Sequence, residues 1–280
     1  MDITPLREGF VADVAGVDLL SVDDATFEAI HGAWLRHPIL RVRDQHADDE
    51  HLQAFSRRFG PLEYAPMGRI TEKERAQLPN PHVTTISNIL VGGKPIGGLG
   101  AAEAAWHTDM SYIESPPTAS LLYAVETPEE GGDTHFCDMV AALRALPPDL
   151  ADRARQLRVK HDAAHDSIGK LRRGHRHASD PRAAPGAVHP MVRRHPENGT
   201  EALFLGRRQD AYVEGLPLAQ SEALLDEIWR YVALPGATWT QKWKVGDLVI
   251  WDNRSVMHRR AAFDPSARRL MRRTQVRSVP

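Results

Sequence analysis

The chain has 280 residues, of which 42% are hydrophobic and 26% are charged, and its formal net charge is −2. This composition is that of an ordinary globular protein with a substantial core, and the near-neutral charge argues against a surface devoted mainly to nucleic acid. A single cysteine, Cys137, excludes an intrachain disulfide, and no stretch approaches the ~20 apolar residues of a membrane span. We therefore expect a cytoplasmic protein with no nucleic-acid partner and no membrane partner, in which Cys137 is a small buried residue.

The first hundred residues alternate short strands with helices. The hydrophobic periodicity and the turn residues predict strands and turns at 9–20, a helix from Asp23 to Trp34, a strand at 39–43, a helix from Asp48 to Phe59 closed by Gly60, and a strand at 83–90. The glycine-rich run at 92–100 lacks the strand, glycine spacing and helix of a phosphate-binding loop. We interpret it as a flexible turn or lid.

The rest of the chain is dominated by predicted strands. Strands are predicted at 118–125, 134–137, 201–205, 239–243, 247–251 and 268–276, and helices at 139–145, 148–157 and 218–232. The segment 160–200 holds six of the 14 histidines, and we interpret it as a solvated loop because their spacing is too irregular for a metal cluster. Since neither a repeat nor a linker divides the chain, we expect a single domain over residues 1–280, of β-rich α+β class.

The stretch Trp106–Tyr112, WHTDMSY, carries the strongest candidate for chemistry. We interpret it as the end of a strand, where alternation would place His107 and Asp109 on one face and Thr108 on the other. A neutral imidazole and a carboxylate can hold a divalent metal from one side. A second histidine would complete the two-histidine, one-carboxylate face that binds Fe(II) and leaves positions open for other ligands.

The spacing of a histidine and an acid two positions apart is weak evidence by itself. With 14 histidines and 37 acidic residues, about two such pairs are expected by chance, and the chain has three. The pair that begins at His46 precedes a helical pattern and is explained by a helix N-cap. The pair that begins at His195 lies among turn-forming residues. Only the pair at His107 has aromatic and β-prone neighbours.

Two features near the C-terminus fit such a metal site. The apolar strand at 247–251 leads into DNRSVMH, which ends on His258, the best candidate for the third ligand. On the last strand, alternation places Arg269 and Arg273 on one face. Guanidinium groups that face an interior are costly unless they meet anions, and a bidentate carboxylate would satisfy each of them.

Four motifs in this order, WHTDMSY, GGDTHFCDM, DLVIWDNRSVMH and RRLMRR, closely resemble those of a known family. The family is that of the Fe(II)/2-oxoglutarate-dependent dioxygenases related to taurine dioxygenase and 2,4-dichlorophenoxyacetate dioxygenase (TauD/TfdA). The resemblance covers most of the chain and is weakest at 64–105 and 160–200. GGDTHFCDM and VEGLP look closer to the aryloxyacetate branch than to the taurine branch.

The resemblance implies a fold and a set of metal ligands. The fold would be a double-stranded β-helix (jelly-roll) core flanked by helices, with active-site lid segments at 91–105 and 160–200. The metal-binding and catalytic residues would be His107, Asp109 and His258, with Fe(II) as the metal.

The resemblance also implies residues that bind the cosubstrate. Arg269 would pair with the distal carboxylate of 2-oxoglutarate, helped by the hydroxyl of Thr134. Arg273 would lie near the substrate's anionic group or the cosubstrate's other carboxylate. Trp251 would pack close by, where core packing is an alternative role.

The implied activity is a dioxygenase reaction on a small anionic organic substrate. With Fe(II), 2-oxoglutarate and O2, the enzyme would hydroxylate its substrate, and thereby cleave it where the target carbon bears an ether oxygen or a sulfonate, giving succinate and CO2. An aryloxyalkanoate-like carboxylate is favoured over a sulfonate, and we expect a homo-oligomer. The alternatives are a cupin-type metal-dependent hydrolase or isomerase with the same three ligands, which would have no use for the two arginines, and a non-catalytic binding protein.

Overall fold

The computed structural model describes residues 1–65, 71, 73–74 and 77–278. Helices in these ranges include α1 (Asp24–Arg36), α2 (Asp49–Ser56), α3 (Met139–Ala145), α4 (Pro148–Gln156) and α5 (Leu218–Trp229). Short 3-10 turns lie at Arg57–Phe59, Pro181–Ala183 and Pro235–Ala237. None of these described helices combines the length and the apolar character that a membrane crossing needs.

Strands make up most of the regular structure. They are β1 (Asp2–Arg7), β2 (Val11–Ala15), β3 (Ile39–Val42), β4 (Thr84–Ser87), β5 (Leu90–Val91), β6 (Lys94–Pro95), β7 (Gly98–Leu99), β8 (Ala104–His107), β9 (Ala119–Glu126), β10 (Thr134–Asp138), β11 (Arg158–Lys160), β12 (Val188–Pro190), β13 (Val192–Arg194), β14 (Glu201–Leu203), β15 (Tyr212–Val213), β16 (Thr238–Gln241), β17 (Leu248–Asp252), β18 (Val256–Arg260) and β19 (Leu270–Val276).

Two sheets form the centre of the molecule. The larger has eight strands in the order β1-β2-β3-β17-β9-β19-β4-β7, and the smaller has four in the order β16-β10-β18-β8. Most neighbouring strands are antiparallel, and the exceptions in the large sheet are β2 with β3 and β4 with β7. Because β17 lies in the middle of the large sheet, all five of its residues are buried, which explains its nearly continuous apolar sequence.

Side-chain alternation along β17 shows how the layers stack. Val249 and Trp251 pack between the two sheets, in a cluster that includes Phe136 from the small sheet. Leu248 and Ile250 point to the opposite face of the large sheet, where α1 and α2 cover them. The inter-sheet face and the helix-covered face therefore both exclude water, and the two sheets lie face to face.

The remaining helices cover the outer face of the small sheet. Met257 from β18 and Cys137 from β10 pack there against apolar residues of α3, α4 and α5. Cys137 is the buried small residue that the sequence predicts, and burial raises the pKa of its thiol to about 12. The β-rich fold with flanking helices is thus confirmed.

Two segments interpreted as loops contain regular structure. The run at 92–100 holds most of the β5–β6 hairpin and also β7, which pairs with β4. The segment 160–200 contains β12 and β13 and buries four of its six histidines: His161, His165, His189 and His195. The interpretation of 160–200 as solvated is wrong, because tertiary packing buries side chains that a polar composition places in water.

Candidate active site

His107 and His258 meet on two neighbouring strands of the small sheet. His107 ends β8 and lies directly opposite His258 of β18 in the strand register, with the two ring centroids 4.2 Å apart. Asp109 follows in a turn in which Met110 has a φ of +46°. The expectation that strand alternation aligns Asp109 with His107 is wrong, since β8 ends at His107 and the turn delivers the carboxylate.

The three side chains converge, but none of them hydrogen-bonds another. Asp109 Oδ1 lies 3.7 Å from His107 Nε2 and 4.0 Å from His258 Nε2, which is too far for hydrogen bonds. One donor atom from each residue falls within 4.8 Å of the others, and all three residues are buried. Such spacing leaves room for a metal ion between them.

Neighbouring groups orient two of the three candidate ligands, His107 and Asp109, whereas His258 Nδ1 has no hydrogen-bond partner among the described residues. His107 Nδ1 lies 2.7 Å from the Ala105 carbonyl, to which it donates as Nδ1–H, and this leaves the Nε2 lone pair facing Asp109. Ser120 Oγ donates to Asp109 Oδ2 at 2.8 Å, and Arg273 Nη1 donates to Asp109 Oδ1 at 2.9 Å. The carboxylate is therefore held from behind and from one side.

The electrostatics favour the protonation states that a metal needs. Burial raises the pKa of Asp109, but the Arg273 guanidinium opposes it, and the net pKa lies well below the usual value. Burial, followed by His107, lowers the pKa of His258 to about 3. An ionised carboxylate and a neutral imidazole are the forms that ligate Fe(II), so this donor set fits that metal.

A small cavity of about 40 Å³ is lined by the two histidines and by Arg260, Arg269 and Arg273. Arg269 is almost fully buried, its Nε has no partner among the described residues, and burial, together with Arg260, lowers its pKa to about 9. At Gly132, which has positive φ, a Cβ would lie 3.2 Å from Arg269 Nε. The glycine leaves space for the guanidinium, and the buried cation lacks a close anion.

Thr134 and Trp251 line the same cavity. Thr134 Oγ1 accepts a hydrogen bond from Trp243 Nε1 at 3.0 Å, so its own O–H is free to donate. Trp251 donates from Nε1 to Asn253 at 2.9 Å, and its ring packs 4.8 Å from that of His258. The structure thus brings every predicted site residue to one place, with Arg273 between this cavity and a larger one.

The larger cavity, of about 720 Å³, opens on the other side of His107 and Asp109. Its charged lining is mainly basic, with Arg172, Arg173, Arg207 and Arg273 against Asp109 and Asp166. Its apolar lining comes from Val83, Ile86, Ile96, Leu99 and Met110. This volume suits a small organic ligand.

Comparison with known proteins identifies the family. The family model described as taurine catabolism dioxygenase TauD, TfdA family matches residues 2–275. The chain belongs to this family.

Its relatives include two alpha-ketoglutarate-dependent dioxygenases. The chain is 33% identical to the (S)-phenoxypropionate/alpha-ketoglutarate-dioxygenase of Sphingobium herbicidovorans, covering 100% of this chain and 96% of that one. It is 35% identical to the alpha-ketoglutarate-dependent 2,4-dichlorophenoxyacetate dioxygenase of Cupriavidus pinatubonensis, over 96% and 95%. The crystal structure of AAD-2 in complex with Mn(II) and N-oxalylglycine superposes with a TM-score of 0.80 at 27% identity, over 100% and 98% of the chains.

Sequence reasoning about this TauD/TfdA family member missed several residues around the site. Arg260 lines the small cavity two positions after His258, so strand alternation from His258 was the signal that points to it. Ser120, which supports Asp109, is a polar residue inside the apolar run of β9. Arg207 carried no signal, because it follows β14 in a stretch without clear periodicity.

Proposed function

We propose that this chain is an Fe(II)/2-oxoglutarate-dependent dioxygenase that hydroxylates a small anionic organic substrate, with succinate and CO2 as coproducts. One observation carries the proposal: His107, Asp109 and His258 converge without hydrogen bonds to one another, beside a small cavity that is lined by the buried Arg269. A metal-dependent hydrolase has no need of a buried guanidinium beyond its metal. A cosubstrate with a second carboxylate does.

The proposal includes the finer architecture. The face-to-face sheets and their mainly antiparallel strand order support a double-stranded β-helix core, within a single domain over 1–280. The segments 91–105 and 160–200 both contribute residues to the large cavity or its border, which supports their role as lids. Arg260 donates to the carbonyls of Leu99 and Ala102, so the first lid is tied to the core beside the metal ligands.

Different residues of the chain would hold the iron and orient its ligands. His107, Asp109 and His258 would hold the iron, and Ser120 and Arg273 would orient the Asp109 carboxylate. When bound, Fe(II) with 2-oxoglutarate and O2 supplies the oxidising chemistry that inserts oxygen into a substrate C–H bond.

The cosubstrate would lie in the small cavity. Arg269 and the free O–H of Thr134 would bind its distal carboxylate, which supplies the anion that the buried guanidinium lacks. Trp251 would pack against it and exclude water, and Arg273, which borders both cavities, is within reach of the carboxylate nearer the metal. Hydroxylation of a carbon that bears an ether oxygen gives a hemiacetal, which breaks down, so cleavage needs no additional catalytic group.

The substrate favoured is an aryloxyalkanoate-like carboxylate over a sulfonate. Two relatives with about a third of their residues identical are named for phenoxypropionate and 2,4-dichlorophenoxyacetate. The mixed apolar and basic lining of the large cavity suits a ligand with an apolar body and an anionic group.

Anaerobic spectroscopy tests the cosubstrate assignment. We expect Fe(II) and 2-oxoglutarate together to give the visible charge-transfer band of a chelated cosubstrate, and Arg269→Ala to weaken 2-oxoglutarate binding. Succinate formation should require both Fe(II) and O2. If the band does not form, or if Arg269→Ala binds 2-oxoglutarate as the unsubstituted protein does, the proposal is wrong.

A further inference from the structure

Arg207 is a buried cation that the proposed chemistry at the iron does not use. It is only 6% exposed, it lines the large cavity, and its Nε has no hydrogen-bond partner among the described residues. Its one recorded hydrogen bond runs from Nη2 to the Asp162 carbonyl at 2.9 Å. Burial, and then the neighbouring Arg172, lowers its pKa, and Asp162 opposes this in part. A buried guanidinium without an ion pair is costly, and an anion in the cavity would offset that cost.

The backbone places Arg207 close to the metal ligands. Thr108, between His107 and Asp109, donates its hydroxyl to the Leu205 carbonyl at 3.1 Å. Gly206 then lets the chain pass close to the same segment, because a Cβ at this position would lie 2.7 Å from Ser111 Oγ and would collide with the His161 ring. The Leu205–Arg207 segment is thereby fixed against the strand end that carries the site.

Arg172 and Tyr112 complete the local arrangement. The Arg172 guanidinium lies 4.1 Å from the centre of the Tyr112 ring and also donates to its hydroxyl, while the Arg207 guanidinium lies 5.5 Å from the ring centre. Within the described ranges, neither arginine has a carboxylate within ion-pair distance. Asp166 also lines the cavity, but its Oδ1 accepts hydrogen bonds from the backbone N–H groups of Ile168 and Lys170.

We propose that Arg207 and Arg172, arranged about the Tyr112 ring, form the subsite that binds the oxyanion head of the substrate. Tyr112 is three residues beyond Asp109, and three residues span at most about 10 Å. The anionic head and the oxidised carbon therefore lie within a small molecule's length of each other. The apolar wall opposite receives the body of the substrate.

This inference rests on the proposed function and assigns different roles to the arginines. Arg273 is engaged with Asp109 and borders the cosubstrate cavity, whereas Arg207 and Arg172 face only the large cavity. Carboxylates and sulfate esters share the oxyanion chemistry that a guanidinium recognises. Binding of carboxylate and sulfate ester probes distinguishes the two classes of substrate.

The experiment measures substrate binding without turnover. The anaerobic complex with Fe(II) and 2-oxoglutarate is titrated with 2,4-dichlorophenoxyacetate, 2-phenoxypropionate, hexyl sulfate and the methyl ester of 2,4-dichlorophenoxyacetate, and the change in the visible band gives each Kd. The unsubstituted protein should bind an oxyanion more tightly than the ester. For Arg207→Met, the Kd of the preferred oxyanion should rise about 10- to 100-fold, while that of the ester changes little.

Three further variants separate binding from folding. Arg172→Met should show a smaller rise in the same Kd, and Arg207→Lys, which keeps the charge but not the planar fork, should fall between Met and Arg. Arg173→Met is the matched control, because Arg173 lines the same cavity but is exposed, and should change the Kd less than threefold. In every variant the Kd of 2-oxoglutarate should stay within about twofold, which shows that the site is folded.

Failure of the inference is distinguishable from failure of the proposed function. No visible band in the unsubstituted protein contradicts the function itself. A normal band with an unchanged oxyanion Kd in Arg207→Met and Arg172→Met overturns the inference alone. A band that responds to none of the oxyanion probes, or an equal loss of ester and oxyanion binding, also overturns it. Preference for hexyl sulfate over both carboxylates would assign the subsite to sulfate esters.

Discussion

The fold contains two buried clusters of histidine and aspartate. In one the side chains lie near one another without hydrogen bonds between them, and in the other they are hydrogen-bonded. In the first, His107 and His258 stay 3.7 and 4.0 Å from Asp109 Oδ1. In the second, His195 Nε2 bonds Asp252 Oδ2 at 2.8 Å, and Arg254 binds both carboxylate oxygens at 2.8 and 2.7 Å. We call them the open cluster and the closed cluster.

The difference shows what separates a candidate metal site from a structural ion pair. In the closed cluster, each charged group has already met its counterion, and Glu197 adds a contact to Arg254 at 2.6 Å. In the open cluster, the three candidate ligand atoms lie near one another without hydrogen bonds between them, while Ser120 and Arg273 donate to the Asp109 carboxylate and the Ala105 carbonyl accepts from His107 Nδ1. Residue type and burial are alike, so the direction of the lone pairs decides the function.

The largest effect is expected from removal of the carboxylate in the open cluster. Asp109→Ala should lower Fe(II)-dependent succinate formation by more than about 100-fold, since loss of an outer-shell partner alone typically costs 10- to 100-fold. Ser120→Ala, which removes only the hydrogen bond to Oδ2, should show the smaller loss. Steady-state assays with measured iron content check both, and equal activity of Asp109→Ala and the unsubstituted protein would contradict the open cluster's role.

In the closed cluster, the same kind of change should affect stability instead. Asp252→Asn leaves the buried Arg254 with Glu197 as its remaining counterion and removes the carboxylate partner of His195, and the free energy of unfolding should fall by about 3 kcal/mol. Denaturant titration measures it. Iron binding by the folded variant should be unchanged. A large loss of iron affinity at unchanged stability would show that the two clusters are not distinct in function.

A buried histidine with no carboxylate at all gives the third case, and pH should reveal it. Both ring nitrogens of His161 lack partners among the described residues, and burial, followed by His189, holds its pKa well below 6.5. As pH falls below 6.5, His161 becomes protonated in the unfolded chain but stays neutral in the folded chain. The free energy of unfolding therefore falls by up to about 1.4 kcal/mol per pH unit. His161→Phe should make the stability between pH 7.5 and 5.5 less dependent on pH, as measured by denaturant unfolding at each pH.

The smallest effect concerns an intermediate cluster. His165 Nδ1 lies 3.0 Å from Asp162 Oδ2 and 3.6 Å from Asp210 Oδ2, so it resembles the closed cluster more than the open one. We expect one tightly bound metal per chain, and Asp210→Asn should leave that number at one. Equilibrium dialysis with Co(II) measures the number of metal ions bound per chain. If the unsubstituted chain bound two ions tightly and Asp210→Asn bound only one, a histidine already paired with a carboxylate would also bind metal.

Sequence reasoning selects candidate ligands that the structure brings together, but it does not explain their geometry. Strand alternation predicts that His107 and Asp109 face the same way, yet β8 ends at His107 and Asp109 lies in the turn that follows it. His258 was sought at the end of a strand, but it lies within β18, whose mixed sequence VMHRR gives no clean period. Local pattern identifies residues that must face an interior, whereas turn geometry depends on contacts from distant parts of the chain.

The histidine-rich segment shows a different limit. Its composition indicates a solvated loop, but His161, His165, His189 and His195 are buried by packing against other elements. The turn predicted at His195 is confirmed, while its bond to Asp252 spans 57 positions. No single-sequence signal reports such a pairing. Arg207 was missed for the same reason, since its burial depends on Tyr112 and Asp162.

The ion pair between Asp109 and Arg273 joins the two sheets, because Asp109 follows β8 of the small sheet and Arg273 belongs to β19 of the large one. The distance between the two sheets therefore sets part of the geometry of the candidate site. Phe136, Val249 and Met271 fill the layer that sets this distance, although they perform no chemistry. Evolution of a new substrate range can act through these apolar residues, since a change of side-chain volume between the sheets moves a metal ligand relative to an arginine without altering either one.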